Sequence, residues 1–227
     1  MHVSMTFLSD LPIYEVEKPY DLYTPVPPGQ RSSNCEYTEH NNILLHDVEE
    51  LQNHSDLEVT GFKFLHAPSN ATLESQDLED AAKAPTAIQP YLSETVDLVK
   101  DELNADKVIC FDWRLRRRNT PKQEPVEAPH DLDVWRPLIS VVEDAPLALC
   151  DRRTIQKEDL ILVDKIHPGY WEEGLYMKNQ AYHKWFWKPQ MTCNDVILFI
   201  SWDSRENQDK FVGSSKIRDE MVDEPWY

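Results

Sequence analysis

Glycine is scarce in this chain: five occur among 227 residues, at Gly29, Gly61, Gly169, Gly174 and Gly213. So scattered a set cannot write a dinucleotide-binding GxGxxG turn or a phosphate loop. Gly169 and Gly174 have the spacing of a phosphate-loop opening, but Leu175 stands where lysine is required. Cysteine is also sparse. Cys35, Cys110, Cys150 and Cys193 are widely separated, with no CxxC pair, and with no leading apolar signal segment this pattern predicts a reducing, cytoplasmic setting. Asn70-Ala71-Thr72 matches a glycosylation acceptor, a match without consequence unless the chain enters the secretory route. No apolar run is long enough to cross a bilayer. Positive charge is short as well, with 23 Lys and Arg against 41 Asp and Glu and a formal net charge of −18. Such a balance repels phosphate backbones and anionic lipid surfaces, so neither nucleic acid nor membrane is expected as a partner. The basic run at residues 114–118 follows an apolar segment and reads as a solvated strand exit.

Proline, by contrast, is concentrated early, at Pro12, Pro19, Pro25, Pro27 and Pro28. This density predicts extended, irregular backbone over residues 1–34, an arm wrapped on the body through Tyr14, Tyr20 and Tyr23. Residues 35–227 are then expected to form a single domain. Ile88, Leu92, Val96, Val99 and Leu103 recur at helical spacing, with Pro90 near the start and Asn104 at the end, which predicts a helix over about 88–104. Residues 107–112 read as a buried strand, and further strands are expected at 134–142, 160–164, 185–188 and 196–203. Helices first and several strands later predict a mainly β protein with flanking helices, of the α+β class.

The second half carries an ordered series: Trp135-Arg136-Pro137-Leu138, Pro146-Leu147-Ala148-Leu149-Cys150-Asp151, His183-Lys184-Trp185-Phe186-Trp187 and Gln190-Met191-Thr192. Upstream lie Glu17-Lys18-Pro19-Tyr20, Asp47, Gly61-Phe62, Tyr91-Leu92-Ser93-Glu94 and Val108-Ile109-Cys110-Phe111-Asp112, then Arg116-Arg117-Arg118. In this order the landmarks resemble the fungal secondary-metabolite hydroxylase and desaturase family that includes AsaB-type proteins, gibberellin desaturases and CmcJ-like proteins. The resemblance covers nearly the whole chain. It implies a double-stranded β-helix of the cupin or jelly-roll kind, here incomplete, and an oxidoreductase that tailors a small fungal specialised metabolite.

The resemblance also implies Fe(II) held by two histidines and a carboxylate, with 2-oxoglutarate as co-substrate and an arginine clamping its distal carboxylate. The family places His-x-Asp and a long connecting segment between the basic run and Trp135-Arg136-Pro137. Here only residues 119–134 lie between them. The remaining candidates are His130, as a remnant of the first ligand, and Asp133, as a displaced carboxylate at His-x-x-Asp spacing; a solvated loop histidine is the alternative. The literal His54-Ser55-Asp56 lies in an acidic stretch where the family has no ligand, and it reads as surface. After Asp203-Ser204 the family's second histidine is missing near Gly213 and Ser214, and Arg218 sits in a polar tail. The expectation is therefore no confident cofactor, with weak or no Fe(II) binding and no turnover of 2-oxoglutarate.

What survives is the wall of a pocket. Trp135, Arg136, His183 and Trp185 are the candidate substrate-binding residues, because an aromatic-lined cavity with a few polar groups suits a small molecule. Arg136 is either a substrate clamp or half of a structural ion pair with Asp151. His183 and the rings around it are either ligand-binding or core. Cys150 and Cys193 read as inert packing. A second function stands beside the oxidoreductase: a metal-free relative acting as an isomerase, cyclase or dehydratase, or as a binding or scaffold protein. Pairing of two copies, which would cover an open sheet edge, is also open.

Overall fold

The computed structural model describes residues 1–51, 55–79, 83–115, 132–144 and 146–201, together with the backbone of a strand at 214–216. Its strands are β1 (His2–Leu8), β2 (Tyr20–Leu22), β3 (Tyr37–Asp47), β4 (Phe62–His66), β5 (Leu132–Trp135), β6 (Leu147–Cys150), β7 (Leu160–His167), β8 (Tyr170–Met177), β9 (Trp185–Trp187), β10 (Asp195–Ile200) and β11 (Ser214–Lys216). The helices are α1 (Ser75–Glu79), α2 (Ala84–Ala87) and α3 (Gln89–Leu103). The fold is mainly β with flanking helices. No helix among the described residues is long and apolar enough to cross a membrane.

Three sheets form, in the orders β1-β3-β9-β6-β11, β4-β10-β5 and β2-β7-β8. Alternation along the strands stacks them. In β6, Leu149 faces one cluster with Phe186, Phe62 and Ile197, while Ala148 and Cys150 face another with Val3, Met5, Leu45 and Trp185. The first cluster is the seam between the five-stranded sheet and the β4-β10-β5 sheet. The second lies on the outer face of the five-stranded sheet, where Met177 of β8 and Leu160 of β7 cover it. On the far side of β10, Val196, Leu198 and Ile200 pack with Val99 and Leu98 of α3. Apolar on both faces, β10 therefore reads as a continuous run rather than an alternation. Full burial of Phe62, Leu149 and Ile197 stabilises by about 1.5–3 kcal/mol each.

The periodic segment from Ile88 forms α3, with Pro90 in its first turn and Asn104 closing it at φ 47°, ψ 44°, a left-handed conformation that Asn tolerates. The strands expected at 160–164, 185–188 and 196–203 overlap β7, which runs on to His167, β9, and β10, which starts at Asp195 and ends at Ile200. Two expectations change. The segment 107–112 forms no strand, and its Ile109 and Phe111 are exposed. The strand expected over 134–142 ends at Trp135, because Pro137 has no N–H for a ladder and restricts Arg136 before it.

Residues 1–34 are also more regular than their prolines suggest. The first proline is Pro12, which leaves His2–Leu8 free to pair antiparallel with β3 and bury Val3, Met5, Phe7 and Leu8. A bulge near Asn42, at φ 63°, takes up one extra residue of β3. The prolines lie in the connection beyond. There the Tyr14 hydroxyl donates to the Asn34 carbonyl at 3.2 Å, Tyr20 opens β2 against β7, and Tyr23 stacks on His167 at 4.6 Å.

Candidate functional site

The antiparallel pair β6–β9 sets Cys150 opposite Trp185. Asp151 and Lys184, one residue outside that pair, consequently meet: the Asp151 N–H donates to the Lys184 carbonyl at 2.9 Å. Asp151 then caps a short 3-10 turn, accepting from the Arg153 N–H at 3.0 Å. The Arg153 guanidinium grips the same carboxylate through Nε and Nη2, at 2.9 and 2.5 Å. This bidentate contact holds a carboxylate that is only 2% exposed. Thr154 completes the stitch, donating from its hydroxyl to the Asp151 carbonyl at 2.7 Å and accepting from the Lys184 N–H at 3.1 Å.

On the other edge of β9, parallel pairing with β3 sets His46 beside Phe186, with ring centroids 5.4 Å apart. His46 Nδ1 lies 3.0 Å from a Glu50 carboxylate oxygen. That hydrogen bond is the first cause holding Glu50 below the usual carboxylate range. The turn at Asp56 closes the third side: its carboxylate accepts from the Glu58 and Val59 N–H groups at 2.7 and 3.1 Å. Between these pieces lies a half-open cleft of 720 Å³, lined by His46, Leu51, Val59, Arg153, Lys184 and Phe186 among others. Its size and mixture of ring, aliphatic and a few polar groups suit a small organic molecule.

The residues singled out from the sequence fall elsewhere or only at its border. Trp185 is 1% exposed and packs among Phe7, Met5 and Leu45. His183 is buried behind the sheet. Its Nδ1 accepts from the Gln180 N–H at 3.3 Å, and its Nε2 meets Asp159 at 3.0 Å. Burial pushes the Asp159 carboxyl up, but hydrogen bonds from Tyr182, the Gln156 N–H and His183 outweigh this and hold it low. Trp135 is half-buried in β5 and packs on the seam between the sheets. Arg136 does not pair with Asp151, whose carboxylate Arg153 occupies. It donates instead to the Cys193 carbonyl at 2.6 Å and lies 5.5 Å over the Tyr91 ring. Asp133 accepts from the Ser201 hydroxyl. Burial pushes the Cys150 thiol up to about 12, which suits packing rather than chemistry. Cys193, in contrast, is exposed.

His130, His54, the Arg116-Arg117-Arg118 run, Asp203-Ser204, Gly213 and Arg218 lie outside the described residues. Among the described residues no three His, Cys, Asp or Glu side chains gather where they could hold a metal ion. Asp133 and His183 are each committed to a different internal hydrogen bond. The described donor set therefore does not fit an iron centre.

Lys184, Arg153 and His46 were not singled out from the sequence. Lys184 stands inside a landmark word, between His183 and Trp185, yet only the pairing of β9 with both β3 and β6 turns it toward a cleft.

The chain matches the family model described as oxidoreductase/YMDC permease-like domain over residues 5–133 and 130–225. It is 27% identical over 229 residues, 83% of this chain and 78% of the relative, to the Fe(II)/2-oxoglutarate-dependent dioxygenase nvfI of Aspergillus novofumigatus. It is 23% identical to the alpha-ketoglutarate-dependent dioxygenase tstK of Talaromyces stipitatus, over 61% of this chain and 64% of the relative. The hydroxylase/desaturase CTB9 of Cercospora beticola is 28% identical over 34% of this chain and 26% of its own. Among solved structures, the iron and alpha-ketoglutarate-dependent endoperoxidase NvfI superposes with a TM-score of 0.78 at 24% identity, covering 99% of this chain and 93% of that one. The shared fold is the double-stranded β-helix, and the stacked sheets described above are its walls.

Proposed function

Because the chain belongs to the family described as oxidoreductase/YMDC permease-like domain, alongside fungal dioxygenases and hydroxylase/desaturases, we propose that it acts in the cytoplasm on a small fungal specialised metabolite, as an oxidoreductase of the hydroxylase or desaturase type. The observation that carries this reading is the 27% identity to an Fe(II)/2-oxoglutarate-dependent dioxygenase over 83% of the chain. For such an enzyme, bound iron supplies the activation of dioxygen. The described residues contribute binding: a cleft with an aromatic wall, a lysine whose backbone is hydrogen-bonded on both sides, and an arginine seated on a buried carboxylate.

A second reading, a metal-free relative that binds its ligand or transforms it without oxidation, draws support from one observation. His183, the histidine of the most aromatic landmark, has both ring nitrogens committed inside the protein. Anaerobic reconstitution of the purified chain with Fe(II), followed by elemental analysis and measurement of succinate released from 2-oxoglutarate, separates the two. Stoichiometric iron with succinate release supports the oxidoreductase. Neither signal, from a folded protein, supports the metal-free relative.

A further inference from the structure

We propose that the cleft between β3, β6 and β9 binds an organic monocarboxylate with a flat apolar body, its anion held by Lys184 and its ring laid against Phe186. The assignment rests on the reading of this chain as a protein acting on a small metabolite, and it names the class of that molecule.

The argument begins with charge. In a chain of net charge −18, a cation left over in a concave site is informative. Each acidic side chain lining the cleft is already engaged: Asp151 with Arg153, Glu50 with His46, and Asp56 with two backbone N–H groups. Lys184 differs. Among the described residues no carboxylate lies in ion-pair reach of its ammonium, although its own backbone is fixed at both N–H and carbonyl. The Arg153–Asp151 pair is neutral as a unit, so among the described residues Lys184 is the cation of the lining that no carboxylate of the protein engages. That matches a carboxylate, and it argues against a phosphate, which carries more charge and would ask for more than one free cation.

The apolar half of the ligand follows from the walls. Phe186 is 5% exposed, is backed by His46, and faces a space whose other sides include Leu51 and Val59. A volume of 720 Å³ exceeds what a carboxylate alone would fill, so a ring-bearing body occupies the remainder. The backbone stitch through Thr154 fixes the Lys184 backbone, and with it the root of the side chain, beside the cleft before binding.

The probe is 1-naphthoate, titrated by calorimetry into the full chain, with 1-naphthalenemethanol as the neutral analogue and inorganic phosphate as a competitor. Lys184→Met should weaken naphthoate binding about tenfold or more, as expected for a lost charge-assisted hydrogen bond, and leave binding of the alcohol unchanged. Val59→Trp, which fills the cleft from a half-exposed position, should weaken both. Phosphate should not compete. Absence of naphthoate binding to the parent chain, equal binding to Lys184→Met, or displacement by phosphate overturns the assignment. None of these readouts uses iron or turnover, so a negative result leaves the oxidoreductase reading standing. Conversely, a chain that takes up no iron but binds naphthoate through Lys184 keeps the cleft and loses the oxidoreductase.

Discussion

Two buried aspartates, Asp151 and Asp159, are 2% and 1% exposed and organise the two sides of the same sheet differently. Around Asp159 every polar atom is spent internally: the Tyr182 hydroxyl, the Gln156 N–H and His183 Nε2 all end on its carboxylate, and the other nitrogen of His183 takes the Gln180 N–H. Around Asp151 the partner is Arg153, whose side chain is 53% exposed and lines a cleft beside Lys184. Burial and residue type are alike in the two places. The difference is whether polar capacity remains once the protein has satisfied itself, and only the Asp151 side retains any. A closed network supports the fold, whereas an open one can meet a ligand.

That contrast predicts unequal costs of mutation. Asp159→Ala strands the buried His183 ring without its carboxylate and should destabilise the protein by about 3–5 kcal/mol in urea unfolding; a loss under about 1 kcal/mol would break the distinction. Next in size, Arg153→Met leaves the Asp151 carboxylate buried without its cation and should cost about 2 kcal/mol. A comparable effect should appear with pH at a third buried aspartate, Asp195. Burial raises its carboxyl, but Lys188 and Thr192 outweigh this and bring it to about 2 from 3.8. A lowered folded value means the contribution is complete above the unfolded value and is lost as pH falls through the folded one. Stability should therefore decline by roughly 2 kcal/mol between about pH 5 and pH 2, and Asp195→Asn should flatten that limb. Lys184→Met is expected to change stability least, within about 0.5 kcal/mol, because its exposed side chain supports no described contact; a larger loss would place Lys184 in the fold rather than in the cleft.

How much of this could be seen beforehand differs by element. The helix at α3 and the strands β7, β9 and β10 were visible because each carries its apolar residues at the period or in the run its burial demands. β3 was not, since Tyr37–Asp47 is largely polar and its pairing with β1 and β9 holds it in place. Residues 107–112 misled for the converse reason: they are apolar and β-prone, yet Ile109 and Phe111 find no sheet to cover them. For the site, the aromatic landmark around His183 divides between two environments. Trp185 and His183 point to the outer cluster and the Asp159 network, while Lys184 and Phe186 face the cleft. A strand alternates its faces, so adjacent residues of one word belong to opposite environments.

The order of short words along the chain was enough by itself to determine the family and, through it, the double-stranded β-helix, because such words mark strand positions that the fold keeps in sequence. The strong acidity likewise sets an expectation, since it disfavours phosphate backbones and anionic surfaces as partners. Which side chains share a cleft was decided only in three dimensions. Parallel pairing of β3 with β9, and antiparallel pairing of β9 with β6, bring His46, Asp151 and Lys184 together from three separate stretches. The register of those pairings depends on burying Trp185 and Phe186 on opposite faces, and a slip of one residue would exchange them and turn Lys184 away from the cleft.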